Sequence, residues 1–292
     1  MRAARSRASG SIALSTACAS MASASPRLKL RREVWTPSVA ATTDEWQGVL
    51  NQARREYVER GFCHIPNFLS TKECASMCAE YTEARDEGEF FLSSETHTVY
   101  QEENDESLPS SHCRNVPVVS SKCIVDYARV PDSSILKAIY KSPRLLELVQ
   151  QTTGTSELHL SACPYNAAYF NEFSIGDGLG WHFDRSEFGV NLVLQPPGTG
   201  AEFEFHHNTR TEEDLDSYCK VEDILARGSD HHEVDCVDYL GVGSLVIFSG
   251  RLSMHRVKPL LGPPTRINAI LTYEKEEGQA PKAYTLRKFF GR

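Results

Sequence analysis

His182 and Asp184 stand two residues apart in GLGWHFDRSEFGVNLVLQPPG (178–198), between a glycine-rich turn and an apolar run. In an extended chain, side chains at i and i+2 share a face, about 6.6–6.8 Å apart. Imidazole nitrogen and carboxylate oxygen bind transition metals at about 2.0–2.2 Å. One cation can therefore reach both groups, while Phe183 points to the other side. Alone, the pair could equally be the polar end of a surface strand. GVGSLVIFSGRLSMHRVKPLLGPPTRINAILTY (241–273) adds weight: it turns into an apolar strand, turns again, and presents His255 at the start of the next. Two imidazoles and a carboxylate occupy one face of an octahedron and leave the opposite face open for water, a co-substrate and oxygen. A structural zinc would take four protein ligands, commonly thiolates, and no Cys lies near these positions. The bland alternative is a metal-free barrel in which these polar groups satisfy one another.

Arg266 follows His255 by eleven residues, with Asn268 two further along on the same face. A guanidinium in the otherwise apolar RINAILTY must find an anion, because a buried unpaired charge is costly. A co-substrate carboxylate held by the planar fork meets that need. Tyr169, Asn171 and Phe173 share one strand face and are candidates to line the co-substrate pocket, the Phe more simply as core. Arg185 could meet a substrate carboxylate at the pocket mouth, or form an exposed ion pair with Glu187. His206 and His207, at a strand end, are either a rim contact or ordinary surface. His231, His232 and Glu233 are a second metal site or, more simply, an exposed loop.

These groups need a scaffold. Helical spacing of Trp46, Val49, Leu50, Ala53, Tyr57 and Val58 predicts a helix from Thr43 to about Arg60, closed by Gly61 and followed by a short strand, FCHIPNF. Ser70 and Glu73 form a capping box for a second helix running to about Arg85, burying Cys74, Met77, Cys78 and Tyr81. Residues 86–122, polar and Ser-rich, read as a long solvated loop or an active-site lid. Two helices follow, SSILKAIYK and PRLLELVQQTTG, the latter starting at Pro143 and ending at Gly154. Beyond Gly154 come seven short β-rich runs, interrupted by one helical insert, DLDSYCKVEDILARG. The expected fold is α+β, mainly β: a jelly-roll core with helices packed on one sheet. Its expected parts are residues 40–155 as N-terminal helical support and 156–292 as catalytic core of the same domain.

Composition narrows the partners. The first 32 residues contain seven Lys or Arg and no acid, and are rich in Ser and Ala. Residues 1–35 fit an organelle transit peptide, plastid or mitochondrial; a disordered tail with Met21 as the true start is the alternative, and the protein is then cytoplasmic. Taking those seven from the 31 basic residues leaves 24 against 39 acidic ones. So acidic a body repels phosphate backbones and disfavours nucleic acid. No apolar stretch is long enough for a membrane span. Nine irregularly spaced Cys complete no zinc pattern and suit a reducing compartment. A small-molecule substrate and a monomer or homodimer are expected.

Taken together, GWHFD, His255 and Arg266 at this spacing resemble the Fe(II)/2-oxoglutarate-dependent oxygenase superfamily, whose core is a double-stranded β-helix. YFNEFSIGDGLGWHFDRSEFGVNLVLQPP, AEFEFHHNTR and FSGRLSMHRVKPLLGPPTRINAILTY resemble more narrowly the branch of free-amino-acid halogenases and their hydroxylating relatives. The likeness covers residues 55–280 in layout and is most specific over 169–273. It implies Fe(II) held by His182, Asp184 and His255, with Arg266 on the distal carboxylate of 2-oxoglutarate and Asn268 and Tyr169 beside it. O2 is the oxidant, and ascorbate is expected to help. Halogenases of this branch carry a small residue where Asp184 stands, which opens a chloride site on iron. The carboxylate therefore implies hydroxylation, with desaturation or cyclisation open to the same chemistry. His206 and His207 depart from the branch pattern. Two other readings stay open: hydroxylation of a protein residue, in prolyl-hydroxylase fashion, and a cupin-like metal-binding sensor without turnover. The first typically places Lys where Arg266 stands.

Overall fold

A computed structural model describes Pro37 and residues 42–227, 235–237 and 240–292. The expected leader lies outside the described residues. Thr42 and Glu45 form a capping box that opens α1 (Thr43–Arg60), and Gly61, at φ 65°, closes it. The inward stripe of α1 runs Trp46, Leu50, Ala53 and half-buried Tyr57, so Val58 falls off it and is 58% exposed, contrary to its helical-face reading. β1 (Phe62–Ile65) follows. Ser70 and Glu73 cap α2 (Thr71–Asp86) as expected, burying Cys74, Met77 and Tyr81, while Cys78 is only half-buried.

The long loop expected over 86–122 is instead largely sheet. β2 (Phe91–Thr98) and β3 (Pro117–Val125) pair antiparallel along their lengths, leaving only 99–116 as a loop. Their inward face carries Ser93, His97 and Ser120, all buried, whereas Leu92 and Val119 are exposed. The alternation is reversed, so hydrophobic patterning reads these strands as loop. α3 (Ile135–Tyr140) and α4 (Pro143–Thr153) are capped by Ser134 and Ser142, and α4 ends at Gly154 with φ 73°.

The remaining chain is β-rich: β4 (His159–Leu160), β5 (Ala168–Phe173), β6 (Gly178–His182), β7 (Gly189–Gln195), β8 (Thr199–Gly200) and β9 (Phe203–His206). After α5 (Tyr218–Arg227) come β10 (Asp235–Val237), β11 (Leu245–Phe248), β12 (Met254–Val257), β13 (Leu260–Gly262), β14 (Arg266–Leu271) and β15 (Tyr273–Glu274). α6 (Ala283–Phe290), unforeseen from sequence, closes the chain. One layer runs β1-β11-β7-β14-β5-β3, with β2 beside β3; β3 leads into the second, β6-β12-β9-β10. This is the expected double-stranded β-helix.

Period-2 alternation decides what faces inward. On β14, Ile267, Ala269 and Leu271 join the core shared with α1–α4, while Arg266, Asn268 and Ile270 line a cavity. β5 and β7 behave alike: Phe170 and Leu192 face the helices, Asn171 and Asn191 the cavity. A one-residue slip would exchange the faces. Phe62, Phe203, Phe205 and Phe248 form a second apolar cluster. Among the described residues, no helix is long and apolar enough to cross a membrane.

Candidate active site

β6 and β12 are antiparallel neighbours in which His182 and His255 are directly opposed. Opposed residues in a ladder share a face, and the two rings lie with centroids 4.2 Å apart. Asp184 sits just past the end of β6, where Phe183 turns away into a buried cluster with Tyr100 and Trp181. Its Oδ1 lies 3.7 Å from His182 Nε2 and 3.5 Å from His255 Nε2. Nδ1 of His182 donates to the Gly180 carbonyl at 2.7 Å, and Nδ1 of His255 to the Ser253 carbonyl at 2.9 Å. A carbonyl can only accept, so each Nδ1 carries a proton, which leaves Nε2, on the Asp184 side, as the nitrogen a metal would take.

Electrostatics agree with that arrangement. Burial, helped by His255, pushes His182 down to about 3, so its imidazole is neutral at ordinary pH. Burial also works against ionisation of Asp184, but His255, His182 and Lys122 outweigh it and hold the carboxyl below its usual range. Three ligand atoms within 4.8 Å of one another, two imidazole nitrogens and one anionic oxygen, fit a divalent transition metal with open positions.

The cavity beside this group measures about 320 Å³. Its floor is a row of amides on three adjacent strands: Asn171 opposes Asn268 in register, and Asn268 Nδ2 donates to Asn191 Oδ1 at 2.8 Å. The Oδ1 atoms of Asn171 and Asn268 are buried without a partner among the described residues. Arg266 is 5% exposed, donates to the Ala201 carbonyl at 2.9 Å, and has no carboxylate partner among the described residues. Burial lowers it to about 10, leaving it charged at neutral pH. The orphan amide oxygens call for hydrogen-bond donors, and the guanidinium for an anion, so the cavity suits a polar occupant with an anionic group.

The structure brings His182, Asp184, His255, Arg266, Asn268, Tyr169, Asn171 and Phe173 to one cavity, as their spacing led us to expect. Arg185 also reaches it, but the suggested pair with Glu187 does not form. Arg185 closes on Glu102 of the 99–116 loop, which also binds Arg114 at 2.9 Å, while Glu187 is taken by Lys275 at 2.9 Å. The Phe183 amide donates to the Val99 carbonyl at 2.9 Å and lays the chain after β6 beside the 99–116 loop, so a contact 83 residues away in sequence wins over a neighbour. His206 packs on Trp181 and His207 on Phe205, and neither lines the cavity. His231, His232 and Glu233 lie outside the described residues.

Several lining residues escaped the sequence reading: Lys122 on β3, Glu274, and Phe289 and Phe290 on α6. The helix had a signal, since Tyr284, Phe289 and Phe290 precede Gly291 in a C-cap position. Lys122 had none, being one polar residue in a strand that reads as loop. It is half-buried, and burial pushes its ammonium down to about 8.

With the geometry in place, similarity to known proteins is informative. The profile of the halogenase D family matches residues 46–286. A search of curated proteins finds no match. Among solved structures, an oxidoreductase of the 2OG-Fe(II) oxygenase family from Burkholderia pseudomallei superposes with a TM-score of 0.52 at 14% identity, covering 78% of this chain and 92% of that one. AviO1 from Streptomyces viridochromogenes gives 0.53 at 17% identity, covering 83% and 100%. The non-haem α-ketoglutarate-dependent epimerase SnoN from nogalamycin biosynthesis gives 0.52 at 13%, covering 78% and 81%. Identities this low show a common fold. The profile match extends over most of the length, and on it the chain belongs to the halogenase D family.

Proposed function

We propose that this protein is an Fe(II)- and 2-oxoglutarate-dependent hydroxylase of a free amino acid or a similarly small polar metabolite. The observation that carries the reading is Asp184, whose Oδ1 stands 3.7 and 3.5 Å from two imidazole nitrogens. Halogenating relatives are expected to lack a carboxylate there and to bind chloride in its place. With the carboxylate present, oxygen insertion is favoured over halogenation.

When bound, Fe(II) and 2-oxoglutarate supply oxygen activation: the co-substrate leaves as succinate and CO2, and the substrate C–H bond gains one oxygen atom. The protein's own groups hold, orient and exclude water. His182, Asp184 and His255 hold the metal, and their Nδ1 bonds keep both Nε2 atoms aimed at it. Arg266 pairs with the distal carboxylate of 2-oxoglutarate, with Asn268 and Tyr169 alongside. Phe173, Phe188, Phe289 and Phe290 make part of the wall apolar and limit water near the reacting atoms.

Purified protein with Fe(II), 2-oxoglutarate and ascorbate should form succinate with one of the standard amino acids or an N-methylated or decarboxylated relative. Mass spectrometry should find the product heavier by one oxygen atom, and His182→Ala should abolish both signals. No succinate with any of these compounds would sink the reading. A chlorinated product in chloride buffer would overturn the inference from Asp184, and succinate with peptides alone would make a protein hydroxylase of it.

A further inference from the structure

We propose that Lys122 holds an anionic group of the substrate itself, so that the pocket selects molecules bearing a carboxylate; this rests on the function proposed above. Lys122 lies on the inward face of β3, between Ser120 and Ile124, and lines the cavity. Its Nζ is 5.7 Å from the Tyr169 ring centroid, and no close ion pair or hydrogen-bond partner meets it among the described residues; the acid that acts on it is Asp184, at longer range. A metal held by Asp184 would take up that charge, and a half-buried ammonium left without a counter-charge is costly, so the site is built for an anion that arrives with a ligand.

That anion is not the one Arg266 awaits. Arg266 opposes Phe173 across the β14–β5 ladder, and Cys123 opposes Glu172 across β3–β5, which brings Lys122 beside Phe173 from the other side. The two cations therefore start two strand spacings apart, roughly 9.6 Å. They then diverge: the Arg266 guanidinium stays 5.6 Å from the Phe173 ring centroid, while Lys122 runs toward Tyr169, four residues along β5. One carboxylate cannot serve both.

Charge counting points the same way. A divalent metal on Asp184 keeps one net positive charge, 2-oxoglutarate brings two negative charges, and Arg266 returns one positive. That set is neutral, and of the other charged groups lining the cavity, the cations Lys122, Arg185 and Lys282 and the acid Glu274, Lys122 is left for the anionic group of the substrate. The other cations at this cavity do not compete for that role. Arg185 is held by Glu102, and Lys282 stands at the exposed mouth. An ammonium suits a substrate group that must be held without a rigid bidentate fork, since it acts as a point charge.

The test compares wild type, Lys122→Met and Lys122→Arg. Anaerobic calorimetry of the Fe(II)-loaded proteins gives the 2-oxoglutarate affinity, and succinate formation is measured with standard amino acids set against their carboxamides. Wild type should favour acid over amide by about tenfold to a hundredfold, the range of one charge-assisted bond. Lys122→Met should lose that preference while 2-oxoglutarate affinity changes less than about threefold, within the non-additive scatter of point variants. Lys122→Arg should restore part of it. Retained co-substrate binding also shows that the variant folds. The proposal is overturned if wild type accepts amides as well as acids or no acid at all, if Lys122→Met keeps the preference, or if its main effect is on 2-oxoglutarate. Failure of the hydroxylase reading looks different: the Fe(II)-loaded wild type would not bind 2-oxoglutarate.

Discussion

Gly250 and Asp184 are fitted to each other. The Asp184 amide donates to the Gly250 carbonyl at 3.0 Å, and a β-carbon added to Gly250 would lie 2.1 Å from Asp184 Oδ2 and 2.8 Å from its Cγ. The turn after β11 thus passes so close to the carboxylate that only hydrogen fits between them. Asp184 has no strand to hold it, being past the end of β6, and this contact is what fixes its position against His182 and His255.

Gly250→Ala should therefore act on the metal and spare the fold. The carboxylate must rotate away to admit the methyl group, and affinity for Fe(II) or Co(II) should fall about tenfold to a hundredfold, as when a ligand loses its support. The melting temperature of the metal-free protein should change little. Unchanged metal affinity in calorimetric titration would show that Asp184 is not a ligand in this place.

Arg266→Gln should weaken 2-oxoglutarate binding by about tenfold or more, the loss of a charge-assisted bond, while metal affinity stays. Arg266→Lys should recover only part, because an ammonium lacks the planar fork. The ligand-free protein offers an independent readout. Arg266 is buried with no carboxylate partner among the described residues, so its neutral replacement should leave thermal stability unchanged or raise it. A marked drop in melting temperature with 2-oxoglutarate affinity intact would assign Arg266 to structure instead.

Stability of the metal-free protein should fall as pH drops from 7 toward 5. Burial lowers both His97 and His182 below 6.5, His182 to about 3. As pH falls through 6.5 the unfolded chain takes up these protons and the folded chain does not, so the unfolded state gains. His97 Nε2 accepts from Ser120 Oγ at 2.7 Å and its Nδ1 donates to the Thr98 carbonyl at 2.8 Å, an arrangement complete only for the neutral ring. Denaturant midpoints at pH 7.5 and 5.5 should differ less in His97→Gln than in wild type. An equal or larger difference in the variant would contradict the assignment.

Much of this was legible before folding. The pattern of His182, Asp184, His255 and Arg266 carried the chemistry, and alternation in YFNEF and RINAIL predicted which side chains would meet in the cavity. What misled was the assumption that inward means apolar. The inward face of β2 and β3 is polar, reaching the cavity through Ser120 and Lys122, so Ser93, His97, Ser120 and Lys122 lie where a strand is expected to carry Val or Ile.

The sequence by itself determined the local features: the caps at Ser70 and Glu73, the helix ends at Gly61 and Gly154, and the i, i+2 spacing that sets His182 and Asp184 near one point. Each of these depends on a few neighbouring residues or on strand periodicity, which the chain carries in its order. The tertiary structure alone decided that His255 comes opposite His182, that Arg185 pairs with Glu102 and not with Glu187, that α6 brings Phe289 and Phe290 to the cavity, and that Lys122 stands there without a close ion pair among the described residues. Those outcomes depend on which strands become neighbours around the barrel, and a charge finds its partner in space.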